Sequence, residues 1–410
     1  MRAAGALGRF SSRENVLREA APNTGASASR LAALNLLVFA PIGVQLPFLP
    51  LWYASIGFAA ESIALIQGAT PIARFLANFL VPPLADRKGA AARLLALCGV
   101  AMTLASLAAG LVQPAYTLVF LCIVASAFGQ GPMIALTDAI VLREARRRVV
   151  AGERLLDYGL VRGAGSVSVL VLMLVSGWFV GLFSPASMIF IISGVMALAT
   201  AGVFALAPKD PRAGGAGTAI KLEKVARPRV VVLVVFAAGL IQASHAVVYT
   251  FGSIAFRAQG HSDFVIGLLW AVGVATEIAF FVASNRFGGA SRAYGLLIAG
   301  ALFAILRWMV MASTTSTALV FLAQALHAFS FAATHLGSIF ALTRLVGETR
   351  RAQAQGWISG ANALTTAVVS VLSGPLWKAY GLHAYFFMCG VAALGLTLAV
   401  LAALDPRKDD

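Results

Sequence analysis

Residues 115–148 read AYTLVFLCIVASAFGQGPMIALTDAIVLREARRR. The stretch is apolar for most of its length, and Asp138 is its only charged residue before the closing arginines. The hydrocarbon core of a bilayer is about 30 Å thick, so a helix that crosses it needs about 20 apolar residues. Water is absent there, so the helix must satisfy its own backbone hydrogen bonds. The stretch therefore predicts a membrane-spanning helix that ends in a basic loop.

The same pattern recurs along the whole chain of 410 residues. Twelve apolar stretches have centres that are almost free of charge, and the spans they predict are 31–53, 62–83, 93–112, 115–138, 158–180, 185–207, 229–254, 264–284, 293–311, 316–342, 355–375 and 384–404. The predicted fold class is an all-α membrane protein with twelve transmembrane helices.

Basic residues between the spans fall on alternate connections. Of the 31 Lys and Arg residues, 26 lie in the N-terminal tail, the even-numbered connections and the C-terminal tail. Arg257 and Lys378 lie on the other side, while Arg74, Arg162 and Arg307 lie inside spans. Short loops rich in Lys and Arg stay in the cytoplasm. We therefore expect a multi-pass protein of the cytoplasmic (inner) membrane with both termini in the cytoplasm.

The composition excludes several other classes of protein. With 60% hydrophobic and 11% charged residues, the chain leaves no room for a large soluble catalytic domain. The net charge of +15 lies mainly in short loops, where membrane topology accounts for it, so no nucleic-acid partner is expected. Cys98, Cys122 and Cys389 all lie in spans without paired spacing. They predict neither a metal site nor a disulfide framework, and no cofactor is expected.

The connection 208–228 is rich in Gly and Pro and predicts a flexible cytoplasmic linker between two six-span halves. The two halves match at an offset of about 199 residues, the parallel-repeat plan of transporters whose substrate site lies between the halves. The predicted organisation is a tail (1–30), a six-helix half (31–207), the linker (208–228), a second half (229–404) and a tail (405–410).

Glu277 is the sharpest functional candidate. It lies near the centre of the predicted span 264–284, which contains no second charge. An ionised side chain at the bilayer centre costs at least ~2.5–3.5 kcal/mol, so it indicates a function or a buried pair. A carboxyl group in this setting can exchange protons near neutral pH, and Glu277 is therefore a candidate proton carrier. The alternative is a structural carboxyl that is permanently protonated or paired with an arginine.

Arg307 lies in the ninth predicted span. Its guanidinium group stays charged and presents five donors in a fixed fork. One interpretation is that it pairs with Glu277 or binds a substrate carboxylate. The other is that it extends to the membrane interface beside Trp308, because the span ends shortly afterwards.

The tenth predicted span carries Gln324, His327, Phe331 and His335. At 100° per residue, Phe331 and His335 lie within about 20° of Gln324, and His327 lies about 60° away. One helix face therefore holds an amide, an aromatic ring and two imidazoles. Imidazole titrates near physiological pH and can relay protons, so we interpret this face as the lining of a cavity.

Other polar residues lie nearer the span ends. Asp138 and Arg162 flank the basic loop after the fourth span and are candidates for an ion pair with a structural or a gating role. Arg74 lies deeper in the second span, where it could meet an anionic substrate. His245 and Tyr249 have i, i+4 spacing in the seventh span and could also face the cavity.

The loop after the second span reads PLADRKG over residues 83–89. It partially resembles the signature loop of the major facilitator superfamily, which latches the cytoplasmic ends of neighbouring helices. The resemblance implies a cytoplasmic gating loop that contains Asp86, Arg87 and Gly89. An ordinary basic turn set by membrane topology is the alternative.

Motifs in six spans resemble a narrower branch, the phenylpropionate permease group, which is related to the lactose permease and to nucleoside proton symporters. They are GVQLPFLPLW at 43–52, LTDA at 136–139, YGLVRGAGS at 158–166, the segment around Glu277, LRW at 306–308, and QALH at 324–327 followed by His335. The resemblance covers most of the chain.

The lactose permease branch implies roles for several of these residues. There, a carboxylate in span four and an arginine in span five bind sugar, and Asp138 and Arg162 match them. A carboxyl in span eight, an arginine in span nine and a histidine in span ten serve coupling, and Glu277, Arg307 and His327 match those positions.

This chain departs from that branch at one coupling position. The lactose branch has a proton-carrying glutamate three residues after the histidine of span ten, where this chain has Ser330. The resemblance then implies that Glu277, together with His327 or His335, carries the proton.

The sequence thus predicts a two-half major facilitator transporter that works by alternating access and acts as a monomer. We expect proton symport of a small polar or anionic organic solute, either an aromatic carboxylate, a sugar or a nucleoside. A proton-driven exporter and an uncoupled facilitator remain alternatives with the same fold. An intramembrane enzyme or sensor is a remote one, because no catalytic set of residues has suitable spacing.

Overall fold

A computed structural model describes residues 26–210, 225, 227–287 and 290–405. Most of the predicted N-terminal tail (1–30), linker (208–228) and C-terminal tail (405–410) lies outside the described residues. Every regular element within the described ranges is a helix. The predicted all-α class is therefore confirmed.

Twelve helices of membrane-spanning length make up the described chain. They are α1 (Ala28–Ser55), α2 (Ala60–Lys88), α3 (Ala91–Leu111), α4 (Tyr116–Val150), α5 (Tyr158–Leu182), α6 (Pro185–Leu206), α7 (Pro228–Ala258), α8 (Asp263–Phe287), α9 (Ala293–Ser313), α10 (Thr317–Leu345), α11 (Arg351–Tyr380) and α12 (Ala384–Ala403).

The last two helices form one apolar segment of 51 residues, Gln353–Ala403. A short 3-10 turn at Gly381–His383 separates α11 from α12 within it. Gly381 adopts a φ of 54°, a conformation that glycine reaches without the steric penalty of a side chain. The turn separates two helices, each of which is long enough to cross a bilayer.

Three spanning helices are interrupted in their interiors. α4 breaks at Gly131–Pro132, because proline lacks the N–H group that would continue the helical hydrogen bonds. α7 breaks at Ser244–His245, and α10 contains a π-helical segment, Ala328–Ala333. Interruptions of this kind often mark functional sites in membrane helices.

Helix α4 continues to Val150, beyond the predicted end of its span at residue 138. Ion pairs support this extension, because Glu144 lies 2.8 Å from Arg147 and 3.3 Å from Arg148, at the i, i+3 and i, i+4 spacings of a helix. Such pairs at helical spacing stabilise an exposed turn even where hydropathy falls. The hydrogen bond from Arg147 also lowers the pKa of Glu153 from its usual value, which keeps this carboxylate charged.

Helix packing repeats between the two halves. In the first half α1 packs against α5 and α6, and α3 packs against α4 and α6. In the second half α7 packs against α11 and α12, and α9 packs against α10 and α12. The halves meet mainly along α2 with α11 and along α5 with α8. This is the parallel-repeat architecture that the sequence predicted.

The halves are in close contact at one end of the bundle, which we call the sealed end. A Cβ atom at Gly177 would lie 2.7 Å from the carbonyl oxygen of Asp263, and one at Gly374 would lie 2.8 Å from the Cα of Glu61. Lys378 Nζ also lies 2.7 Å from Glu61 Oε1. Only glycine permits this backbone approach between α5 and α8 and between α2 and α11.

Candidate functional site

A cavity of about 470 Å³ lies between the halves. Its polar lining comes from α1, α2, α4, α7 and α11 and consists of Gln45, Gln67, Thr70, Arg74, Asn78, Gln130, Tyr249, Thr250, Thr366 and Ser370. Along α2, Ile63 near the sealed end is buried, whereas Arg74 and Asn78 further along are exposed. The cavity therefore reaches solvent away from the sealed end.

A row of polar side chains crosses the wall formed by the first half. Arg74 Nη2 donates a hydrogen bond to Gln130 Oε1 at 2.8 Å, and Gln130 Nε2 donates to Gln45 Oε1 at 2.6 Å. The row lies where α4 breaks. A Cβ at Gly131 would lie 2.7 Å from the carbonyl oxygen of Arg74, so α2 and α4 touch backbone to backbone beside Gln130.

Arg307 is buried in the second half, with 2% of its surface exposed. Its Nη2 donates to Gln324 Oε1 at 2.7 Å, and its Nη1 lies 3.0 Å from His327 Nδ1. The guanidinium group also lies 4.6 Å from the centre of the Trp308 ring. Gln324 donates in turn to the carbonyl oxygen of Leu269 at 3.3 Å. Arg307 therefore points into the protein and does not extend to the membrane interface.

His327 connects Arg307 with Glu277. Because a guanidinium group only donates, His327 Nδ1 must accept, and the proton of the neutral ring is on Nε2. That atom lies 3.5 Å from Glu277 Oε2. The imidazole thus donates towards the carboxylate and accepts from the arginine, which links α8, α10 and α9 in one chain of contacts.

His245 and Ser330 extend this chain to α7. His245 Nδ1 lies 3.1 Å from the carbonyl oxygen of Gln242, so Nδ1 carries the proton and Nε2 accepts from Ser330 Oγ at 3.1 Å. Ser330 Oγ also lies 3.4 Å from Arg307 Nη1. We call the group Glu277, His327, Arg307, Gln324, Ser330 and His245 the polar network.

Tyr249 separates the polar network from the cavity. Its ring centre lies 5.8 Å from that of His245, and its backbone oxygen accepts a hydrogen bond from Gln67 at 3.2 Å. Tyr249 lines the cavity, whereas His245 is fully buried behind it. The sequence grouped these two residues together, but the structure brings only Tyr249 to the cavity wall.

The other two residues of the predicted α10 face lie beside the network. The Phe331 ring stacks on His327 with centroids 5.0 Å apart, and the Phe331 carbonyl oxygen accepts from Gln242 at 3.3 Å. His335 contacts Phe281 of α8, with ring centroids 6.3 Å apart. Both residues support the Glu277 end of the network, and neither lines the central cavity.

Asp138 and Arg162 lie at a different place. Arg162 Nε is 3.8 Å from Asp138 Oδ1, so an ion pair joins α4 and α5 as the sequence suggested. The guanidinium group of Arg162 lies 4.1 Å from the centre of the Phe39 ring. Both charged side chains are partly exposed and lie outside the lining of the cavity.

The predicted gating loop is a helix end in this structure. Gly89 has a φ of 57° and ends α2, and the N–H group of Ala90 donates to the carbonyl oxygen of Ala85 at 3.0 Å. Asp86 and Arg87 lie in the last turn of α2 and are exposed. A basic residue there interacts favourably with the helix dipole.

Sequence reasoning missed the amide side chains of the first half. Gln45 and Gln130 were not singled out, although each is an uncharged polar residue within an apolar span. Such residues in membrane helices usually face the bundle interior, and this signal was available. Ser330 was noted only as a departure from a family pattern, yet it joins two helices of the network.

The described residues contain no group of three or more His, Cys, Asp or Glu side chains that could hold a metal ion. Cys98, Cys122 and Cys389 are free thiols. The chemistry of this site therefore depends on carboxylate, imidazole, guanidinium and amide groups.

Twelve helices in two halves, a central cavity open at one end, and a polar network beside it define a membrane transporter of the major facilitator type. The chain belongs to the MFS_1 like family, whose model matches residues 28–388.

One curated relative is the probable 3-phenylpropionic acid transporter of Escherichia coli strain K12, which is 28% identical over 368 residues. The match covers 87% of this chain and 92% of the relative. The solved nucleoside transporter NupG superimposes with a TM-score of 0.78 at 19% identity, covering 94% of this chain and all of NupG. An auto-inhibited POT family peptide transporter superimposes with a TM-score of 0.72 at 13% identity, covering 95% of this chain and 98% of that one.

These comparisons confirm the predicted superfamily and its fold. They also confirm that the protein is a multi-pass membrane transporter for a small molecule and not an enzyme.

Proposed function

We propose that this protein is a proton-coupled symporter that imports a small polar or anionic organic solute by alternating access. The observation that carries the proposal is the chain of contacts from Glu277 through His327 to Arg307, one residue layer away from the cavity. The Glu277 side chain is 23% exposed, and its span contains no second charge that would hold the carboxyl group in one protonation state, so this group is the candidate proton carrier.

The contacts suggest how protonation and substrate binding are linked. The ionised carboxylate of Glu277 attracts the Nε2–H group of His327, which fixes the ring and leaves Nδ1 for Arg307. Protonation of Glu277 removes this attraction, so His327, Arg307 and the neighbouring Gln324 can rearrange towards substrate. Loss of the proton on the other side of the membrane restores the original contacts and releases the substrate.

We further propose that the halves 31–207 and 229–404 rock about the substrate, with the open end facing the cytoplasm. The 26 basic residues of the tails and even-numbered connections support this orientation in the inner membrane, with both termini cytoplasmic. The loop residues Asp86, Arg87 and Gly89, and the Asp138–Arg162 pair, lie towards that end and are candidates for latching it.

Among the candidate solutes, an aromatic carboxylate has the most support. The curated relative is named for 3-phenylpropionic acid. The likeness to a nucleoside transporter rests on fold alone at 19% identity and favours no substrate.

The proposal is tested with the variant Glu277→Gln in proteoliposomes. A pH gradient is imposed across the membrane, and the uptake of labelled 3-phenylpropionate is measured. Glutamine keeps the size of the side chain but cannot carry a proton. We expect uphill accumulation to be lost and counterflow exchange to continue near the wild-type rate.

The control is Glu153→Gln, which removes an exposed carboxylate from the loop after α4 and is expected to leave both activities unchanged. Uphill, proton-driven accumulation that persists in Glu277→Gln would contradict the assignment of the proton carrier. Accumulation driven by the opposite gradient would indicate an exporter.

A further inference from the structure

Arg74, Arg162 and Arg307 lie in the interior of predicted spans, and their surroundings differ. Arg307 is buried and already donates to Gln324, while its Nη1 contacts His327 and Ser330. Arg162 has Asp138 as an acidic partner at 3.8 Å. Neither arginine lines the central cavity. Both therefore have partners within the protein.

Arg74, like Arg307, has no acidic partner among the described residues, but unlike Arg307 it lines the cavity. Its guanidinium group donates a hydrogen bond to the neutral amide of Gln130. A cation within the membrane is costly unless an opposite charge or water accompanies it. The state seen here is open to water, but a closed, transport-ready state would isolate this charge unless an anion entered with it.

The neighbourhood of Arg74 is built to hold one orientation of the guanidinium group. Gln130 donates through its nitrogen to Gln45, so its oxygen is the atom that faces Arg74. The backbone contact between Gly131 and Arg74 fixes the distance between α2 and α4 at this point. The remaining N–H groups of the planar fork are then free to bind both oxygens of a carboxylate.

The cavity next to Arg74 has an apolar part. Ile42, Leu46 and Leu49 of α1 and Ile134 of α4 line it together with Pro71 of α2. A volume of about 470 Å³ suits a small organic molecule. An anionic group at Arg74 would place the rest of such a molecule against these side chains.

We propose that Arg74 is the carboxylate-binding residue of the transporter, held in place by Gln130 and Gln45, and that its substrates are monocarboxylates with an apolar body. The inference rests on the proposed function and narrows its substrate class. It assigns two tasks to the two halves: Arg74 of the first half binds the carboxylate of the substrate, and Glu277 of the second half carries the proton.

The test is equilibrium binding to purified protein in detergent, with 3-phenylpropionate, hexanoate, 3-phenylpropionamide, uridine and lactose as probes. We expect the two carboxylates to bind and the isosteric amide, the nucleoside and the sugar to bind at least about 100-fold more weakly. Arg74→Gln should lose about 100-fold in affinity for 3-phenylpropionate, and Arg74→Lys should lose less because it keeps the charge without the fork.

Two further variants keep the test interpretable. Arg93→Gln removes an exposed arginine at the start of α3 and should bind as the wild type does. Arg87→Gln removes a second exposed arginine, in the last turn of α2 and outside the lining of the cavity, and should also bind 3-phenylpropionate as the wild type does. Wild-type affinity in Arg74→Gln, preference for uridine or lactose, or failure of both carboxylates to bind would overturn the inference. Uphill transport by Glu277→Gln together with lost binding in Arg74→Gln would overturn only the proton assignment.

Discussion

The hydroxyl group of Ser330 lies between the side chains of His245 and Arg307 and contacts both of them. Its hydroxyl donates to His245 Nε2 at 3.1 Å and lies 3.4 Å from Arg307 Nη1. The hydroxyl is fully buried, so water cannot replace it. The position where a related branch has a glutamate thus holds a neutral bridge, which leaves Glu277 as the only carboxylate of the polar network.

Ser330→Ala tests this bridge. The change leaves His245 Nε2 without its donor and weakens the surroundings of Arg307, and an unsatisfied buried polar group costs about 1–3 kcal/mol. We expect a lower melting temperature and slower counterflow exchange. Ser338→Ala is the matched control, because the Ser338 hydroxyl lies on the same helix and donates only to the carbonyl oxygen of His335. Equal melting temperatures in the two variants would argue against the bridge.

One helix interruption lies at a corresponding place in the two halves. When the two halves are aligned at an offset of about 199 residues, the break of α4 at Gly131 corresponds to Ser330 in the π-helical segment of α10. At the same offset, Gln45 of α1 corresponds to Ser244, where α7 breaks. In each half, therefore, the irregular backbone coincides with the polar side chains of the site.

Gly131→Ala tests whether the α4 break positions the cavity wall. The new Cβ would lie 2.7 Å from the carbonyl oxygen of Arg74, and a backbone contact of this kind cannot be relieved by a side-chain rotation. Overpacking of this type costs about 1–3 kcal/mol. We expect a lower melting temperature and weaker binding of 3-phenylpropionate.

The matched control for this change is Gly194→Ala in α6, where an added Cβ meets nothing within 4 Å. It should leave both quantities unchanged. If Gly131→Ala behaved like the control, the close approach of α2 and α4 would not be needed for the site.

At the scale of the whole molecule, the ends of each half are tied together in the same way. Arg30 at the start of α1 donates through Nε to the carbonyl oxygen of Leu206 at the end of α6, at 2.8 Å. Arg227 before α7 donates to Asp405 after α12, at 2.7 Å from its carboxylate oxygen. Each half is thus closed on itself, which suits two bodies that move relative to each other.

The sealed end depends on the glycine contacts between these bodies. In Gly374→Trp, the new side chain would collide with α2 at Glu61 and Ala60. The population should therefore shift from the conformation seen here to one in which the sealed end is open. We expect a cysteine at position 67, in a background without the native cysteines, to react about tenfold faster with an impermeant maleimide added from the sealed side.

Gly390→Trp in α12 is the control for this experiment, because its Cβ position is open. The labelling rate should then equal that of the parent protein. An unchanged rate in Gly374→Trp would show that this contact does not determine which end is closed.

The positions of the helices and the titratable groups of the site could be predicted from local properties of the sequence. Hydropathy gave the spans to within a few residues, except at α4, where ion pairs such as Arg147 with Glu144 continue the helix beyond the apolar stretch. Glu277, Arg307 and the histidines were also predictable, since a charged or titratable group within a span is visible in the sequence alone. Their mutual contacts were not.

The sequence by itself determined the class, the number of spans and the expected orientation, because a medium without water allows only helices and charge is confined to the loops. Only the tertiary structure decided which arginine lines the cavity and which is buried in the polar network. That distinction depends on contacts between residues far apart in the chain, such as Arg74 with Gln130 and Arg307 with Gln324. The composition of a single span does not reveal whether its polar side chain contacts a partner or lines an open cavity, because both depend on the neighbouring helices.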